Sequence, residues 1–199
     1  MEYSKFDSNE IKFPIPSGII VSGPSSSGKT ELVLRLLENA DKMFEPKPEA
    51  ILWAYGEYTE KIGQLQRKGY HVYQGVPSEE AVAKMPKPFI FVLDDLIQDI
   101  DPKRLANIFT RNSHHQNFTP IFITQSLFDK AMRVPRANSH FIFLLRCPND
   151  QQSLRSLATQ LFPRESNYFY SAYKQACEHK FGYILISLHP SISNELRLR

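Results

Sequence analysis

The chain has 199 residues, 42% hydrophobic and 23% charged, with a net charge of +3, so it belongs with ordinary globular proteins and has length for one α/β domain with a full core. Its longest apolar runs, Phe89 to Leu93 and Phe141 to Leu145, have strand length rather than the ~20 residues of a membrane span, and the polar start Met1 to Ser8 carries no secretory pattern, so no membrane partner is expected. Cys147 and Cys177 lie far apart, fit neither a zinc site nor a disulfide framework, and read as two buried free thiols.

Residues 1–16 close on Phe13-Pro14-Ile15-Pro16, whose prolines predict an extended lead-in. Gly18 to Ser22 is a short β-branched run bounded by turn residues, and reads as a strand. Next comes Gly23-Pro24-Ser25-Ser26-Ser27-Gly28-Lys29-Thr30, a G-x-x-x-x-G-K-T phosphate-binding loop. Small residues let the backbone N–H groups turn inward around phosphates, and Gly28 lets the chain come close. Lys29 reaches the β- and γ-phosphates of ATP, and the Thr30 hydroxyl takes a Mg²⁺ position. Glu31 completes the nucleotide-contacting set and starts a helix running to Ala40, with Leu32, Val33, Leu36, Leu37 and Ala40 at helical spacing. Its positive N-terminal end adds to the anion site. The competing reading is a Gly/Ser-rich turn with a stray lysine. The flanking strand and helix argue against it.

Pro46 and Pro48 break the pattern, and Ala50 to Tyr55 reads as a strand whose aromatics, Trp53 and Tyr55, belong to the core. Thr59 to Lys68 predicts a helix, Tyr70 to Tyr73 a short strand, and Ser78 caps a helix that stops by Pro86. Pro88-Phe89-Ile90-Phe91-Val92-Leu93-Asp94-Asp95 is the second informative stretch. Five successive apolar residues suit a strand buried on both faces of a parallel sheet. Two carboxylates follow at its C-terminal end, where open α/β sheets bind ligands. This is a Walker B pattern: Asp94 holds Mg²⁺ through water, and Asp95 orients the attacking water. The structural alternative is a helix N-cap with an acidic first turn.

Asp101-Pro102 opens a helix that ends around Arg111 to Gln116. Pro120 to Thr124 is an apolar strand ending in Gln125, a candidate sensor of the γ-phosphate or water, or an ordinary loop amide. Phe141 to Leu145 is a strand. Gln151 to Leu161 and Glu165 to His179 are helices, and Phe181 to Ser187 is a last strand. Charge is uneven. Residues 1–129 carry 14 Lys+Arg against 17 Asp+Glu, a net of −3, and residues 130–199 carry 10 against 4, a net of +6. A basic C-terminal third suits either nucleic acid or a solvated face.

Several stretches together resemble the genome-packaging ATPases of Maverick/Polinton elements and adintovirus-type viruses, related to poxvirus-type packaging ATPases within the FtsK–HerA superfamily. They are Gly23 to Thr30, Ile51 to Glu57, Val92 to Leu96, Ser113 to Asn117, Thr124 to Phe128, Met132-Arg133, Asn138 to His140, Phe181 to Ile186 and Glu195 to Arg199. Ser126 stands where the family usually has Asn. The resemblance implies a RecA-like P-loop NTPase core: a central, mostly parallel sheet with helices on both faces and Gln125 as sensor. It also implies a homo-oligomeric ring that drives double-stranded DNA into a capsid, hence capsid proteins as partners and an intracellular or virion-associated site of action. Such rings complete each site with a neighbour's arginine finger. Arg133 matches the family's Met-Arg, and Arg111 is the other candidate. The remaining alternatives are a P-loop small-molecule kinase and a nucleotide-binding subunit without turnover.

Overall fold

A computed structural model describes residues 12–192 and 197–199. Most of the lead-in and Glu195-Leu196 of the closing motif lie outside the described residues. In chain order the elements are β1 (Phe13–Pro14), β2 (Ile19–Ser22), α1 (Lys29–Glu38), α2 (Ala40–Met43), β3 (Phe44–Glu45), β4 (Ala50–Tyr55) and α3 (Glu60–Arg67). Then come β5 (His71–Gln74), α4 (Glu79–Ala83), β6 (Phe89–Asp94), α5 (Pro102–Asn107), α6 (Ser113–Gln116), β7 (Phe118–Thr124) and α7 (Arg133–Asn138). The order closes with β8 (Phe141–Leu145), α8 (Gln151–Leu161), α9 (Ser166–Ala176) and β9 (Tyr183–Ser187). A wide π-helical turn, Ile108–Asn112, joins α5 to α6.

Seven strands form one sheet in the order β5-β4-β6-β7-β2-β8-β9. Each neighbouring pair is parallel except β8 with β9, which is antiparallel. Parallel neighbours need crossovers, and the crossover helices cover both faces. Strand side chains alternate, so each face collects its own core. One face carries Ile19, Val21, Trp53, Tyr55, Ile90, Val92, Ile121 and Ile123 against Val33, Leu36 and Leu37 of α1 and Ile62 and Leu65 of α3. The other carries Ile20, Ala54, Phe91, Leu93, Phe122, Ile142 and Leu144 against α5, α8 and α9. Trp53 and Tyr55 are core residues, as expected.

The Ser78 cap forms as expected, and Asp101, expected only to open a helix, caps it as well. The Ser78 hydroxyl accepts from the N–H of Ala81 at 3.2 Å, and the Asp101 carboxylate accepts from the N–H of Arg104 at 3.0 Å. Some boundaries move. The last strand starts at Tyr183 rather than Phe181, because Phe181 turns left-handed at φ 65°. Strand β7 starts at Phe118, ahead of Pro120. There β6 already pairs with it from Phe118, while β2 joins only at Ile121, so the proline sits where one ladder has not begun.

Register positions the site. Ser22 of β2 pairs with Thr124 of β7, and Asp94 of β6 pairs with Ile123 of β7. All three strands run the same way, so Gly23, Asp95 and Gln125 leave the sheet together at one edge. The fully buried Phe122 anchors β7. Phe122→Ala should lower stability by about 3–5 kcal/mol, whereas loss of the α5 cap in Asp101→Ala should cost about 1 kcal/mol. Urea denaturation of both variants checks the difference.

Candidate functional site

The loop after β2 is tied down at its root. The N–H of Gly23 donates to the carbonyl of Thr124 at 3.2 Å. A Cβ on Gly23 would meet Ser27 Oγ at 2.8 Å and Leu145 Cβ at 2.9 Å, so only glycine fits this close approach. The chain turns through Ser26 at φ 60° and Gly28 at φ 98°, then enters α1 at Lys29. Gly28 caps α1 with no side-chain bond, which leaves the first N–H groups of the helix for an anion. Glu31 contributes its backbone there. Its carboxylate points to the surface, 3.6 Å from both Arg35 and Lys61.

Lys29 is half-buried and folds back on its own loop. Its Nζ donates to the carbonyls of Gly23 and Pro24, each at 2.9 Å. Burial lowers the pKa of its ammonium, while Asp95 and Asp94 pull it the other way. The Ser27 hydroxyl is buried with no hydrogen-bond partner among the described residues. Thr30 sits half-buried in the first turn of α1.

Asp94 and Asp95 have different surroundings. Asp94 ends β6, and burial first, then the neighbouring charge of Asp95, push its carboxyl up to about 6. Lys29 and Lys61 oppose that rise. The buried Trp53 indole N–H makes no hydrogen bond of good geometry, yet is near enough to favour the Asp94 carboxylate. Asp95 is exposed and left-handed at φ 55°, with its N–H donating to Ile123 O at 3.3 Å. It therefore swings off the line of the strand.

Gln125 joins the two sides. Its Nε2 donates to Asp95 Oδ2 at 3.2 Å, and its Oε1 accepts from Ser25 Oγ at 3.0 Å. Only this amide orientation satisfies both partners, since an ionised Asp95 can only accept. The structure thus brings together the loop, Lys29, Asp94, Asp95 and Gln125. Arg133 and Arg111 stand outside this network. Arg133 is exposed at the head of α7, and Arg111 is exposed on the π-helical turn that packs against α7. Arg136, three residues on, donates to Leu127 O at 2.9 Å and lies 4.3 Å over the Phe128 ring.

Sequence reasoning passed over part of the site. A cleft of about 690 Å³ runs from Lys29 and Thr30 past Leu32 and Arg35 to Lys61, Lys180, Phe181 and Tyr183. No motif marks Lys180, and Phe181, although it heads the family-like stretch to Ile186, reads as the start of a strand rather than as part of a site. The two cysteines also need correction. Cys177 is buried, but Cys147 is only half-buried. Both line a second cavity of about 740 Å³ beside Tyr173. The Tyr173 hydroxyl accepts from the N–H of Cys147 at 2.8 Å and donates to Leu145 O at 3.3 Å. Burial pushes that phenol up to about 12.

No family model matches the chain, and no curated protein matches it. Solved structures do. The genome packaging NTPase B204 from Sulfolobus turreted icosahedral virus 2, in complex with ATP-gammaS, superposes with a TM-score of 0.57 at 14% identity, covering 92% of this chain and 95% of that one. The same protein in complex with AMP gives 0.55 at 12% identity, over 92% and 96%. At such identities the likeness is one of fold. The fold is RecA-like: a P-loop NTPase architecture with a mostly parallel sheet between two helical layers.

A carboxyl raised from the ordinary 3.8 to about 6 carries a sign for stability. The folded state favours the neutral form, so that contribution is full below pH 3.8 and is lost as pH rises through 6. Asp94→Asn should therefore stabilise the ligand-free protein by about 2–3 kcal/mol at pH 8. The gain should shrink as pH falls from 6 toward 3.8. Denaturation of both proteins across that range checks it.

Proposed function

We propose that this chain is a Mg²⁺-dependent ATP hydrolase, and that it works as a homo-oligomeric ring moving double-stranded DNA into a capsid. The observation that carries the hydrolytic part is the Ser25–Gln125–Asp95 chain of hydrogen bonds, which spans from the phosphate loop to the end of β6 across β7. A water placed beside Asp95 and Gln125 would face the γ-phosphate held by the loop. Asp95 would polarise that water, and Gln125 would hold Asp95 and sense the phosphate. Lys29 would leave the carbonyls of Gly23 and Pro24 for the phosphate oxygens, where its charge stabilises the transition state.

The residues fit a divalent cation. Asp94 is a half-buried carboxylate made costly by desolvation and by Asp95, a charge that a cation would relieve, and Thr30 offers a hydroxyl in the first turn of α1. Thr30 and Asp94 would hold Mg²⁺, which when bound neutralises charge on the β- and γ-phosphates.

Support for the motor comes from two directions. Stretches that resemble Maverick/Polinton and adintovirus-type packaging ATPases run nearly end to end in the sequence. The fold likeness to a viral genome packaging NTPase covers 92% of the chain. A kinase fits less well, because β7 separates the P-loop strand from the Asp94 strand and is followed by the amide of Gln125, which would act as the sensor. DNA contact would be to the phosphate backbone, through the basic C-terminal third, and so steeply salt-dependent. Capsid proteins would dock the ring, inside the cell or at the virion.

Steady-state ATP hydrolysis with and without double-stranded DNA tests the proposal. The expected result is DNA-stimulated turnover, with Lys29→Ala and Asp95→Asn each lowering kcat by on the order of 10²–10³. Turnover indifferent to DNA would overturn the translocase reading, and ATP binding without phosphate release would overturn the hydrolase. Arg133→Ala should lower turnover by about 10³ while leaving ATP binding intact, as for a finger supplied in trans. Its failure, with Arg111→Ala producing the same loss, would transfer the role to Arg111.

A further inference from the structure

The cleft of about 690 Å³ has one end fixed by chemistry and the other without an assignment. Its volume lies in the ordinary range of small-ligand pockets. The phosphate end is Lys29 and Thr30. Phe181 lines the same cleft beside Gly28, with 55% of its surface exposed. Phe181 is peculiar in two ways. Its φ of 65° is a conformation that bulky residues avoid, where glycine would fit without strain. Its ring also stays in water rather than in the core. Neither packing nor turn chemistry accounts for an aromatic here.

The ring is held in place. Gly182 beside it cannot accept a side chain, since a Cβ would lie 2.3 Å from Ala176 O and 2.9 Å from Cys177 Cα. The N–H of Gly182 donates to His179 O at 3.0 Å, and its carbonyl accepts from Arg146 N–H at 3.2 Å. On its other side the ring abuts the loop: a Cβ on Gly28 would lie 3.2 Å from Phe181 Cδ1. The Lys180 ammonium stands 5.0 Å from the ring centroid. An exposed ring, rigidly mounted beside the phosphate loop, is a preorganised stacking surface.

Resting on the nucleotide reading above, we infer that Phe181 is the platform on which the nucleobase stacks. Beside the loop, the cleft is also lined by the polar side chains of Glu31, Arg35, Lys61, Lys180 and Tyr183. Stacking tolerates any base because every base has a π-face. The contribution of the ring should therefore be similar for ATP and GTP.

The test is calorimetric binding of ATP, GTP and inorganic tripolyphosphate to the full chain and to Phe181→Ala, Phe181→Tyr and Phe181→Gly. Phe181→Ala should weaken ATP and GTP alike by roughly 5- to 150-fold, the range for losing one base–aromatic stack. It should leave tripolyphosphate unchanged, and Phe181→Tyr should restore both nucleotides. Phe181→Gly, suited to the positive φ, should show the same selective loss with thermal stability retained. Unchanged ATP affinity in Phe181→Ala overturns the inference. So does an equal loss of tripolyphosphate, because the ring would then be shaping the phosphate loop instead. An unaltered chain that binds tripolyphosphate as tightly as ATP overturns the base site alone, whereas one that binds neither overturns the nucleotide reading and this inference with it.

Discussion

Ile123 of β7 pairs with Val21 of β2 on one side and with Asp94 of β6 on the other. That double register is the constraint on which the site depends. Side chains alternate along a strand, so a slip of one residue on either side would exchange the two faces of the sheet. Val21 and Ile123 would leave the core beneath α1, and Asp94 would turn from the α1 side to the other. The apolar filling of both faces thus fixes where Gly23, Asp95 and Gln125 emerge. Three backbone bonds finish the arrangement at the edge: Gly23 N–H to Thr124 O, Asp95 N–H to Ile123 O, and the turn bond from Ser27 N–H to Pro24 O.

Electrostatics at this edge are set against the ligand-free protein. Burial raises the Asp94 carboxyl and lowers the Lys29 ammonium, so each group is held away from its easy charge state. Lys29 compensates by bonding the carbonyls of its own loop, and beside Asp94 the Asp95 carboxylate is held by Gln125. These are internal partners that a phosphate, a cation and a water can replace. Perturbed groups of this kind, held by the fold at a sheet edge, are what a functional site shows.

The strand–loop–helix around Gly23 to Thr30 was legible in the sequence because its pattern is local: eight adjacent residues, a strand before and a helix after. The strands of the parallel core were legible for a related reason, since burial on both faces leaves continuous apolar runs such as Phe89 to Leu93. Gln125 could be placed as a polar residue at a strand end, but its bonds to Ser25 and Asp95 depend on three segments far apart in sequence. Helix α7 was not read, because Val134-Pro135 looks like a break, although proline in a first helical turn gives up no hydrogen bond. Phe181 was hidden most completely. In an apolar run it passes for the first residue of a strand, and only its positive φ puts the ring out over the loop. The cysteines, 30 residues apart in sequence, converge because α9 returns to the end of β8, a tertiary fact with no sequence signature.

The central claim is that Gln125 and Asp95 act on one water as a unit. The measurement that tests it most directly is a double-mutant cycle on single-turnover ATP hydrolysis, using Gln125→Ala, Asp95→Asn and the double variant. If the two side chains share one task, the double variant should be scarcely slower than the worse single variant, with a coupling of about 1–3 kcal/mol. Effects that multiply, with no coupling, would mean that the 3.2 Å bond between them is a feature of the resting edge and that they do not act together on the water.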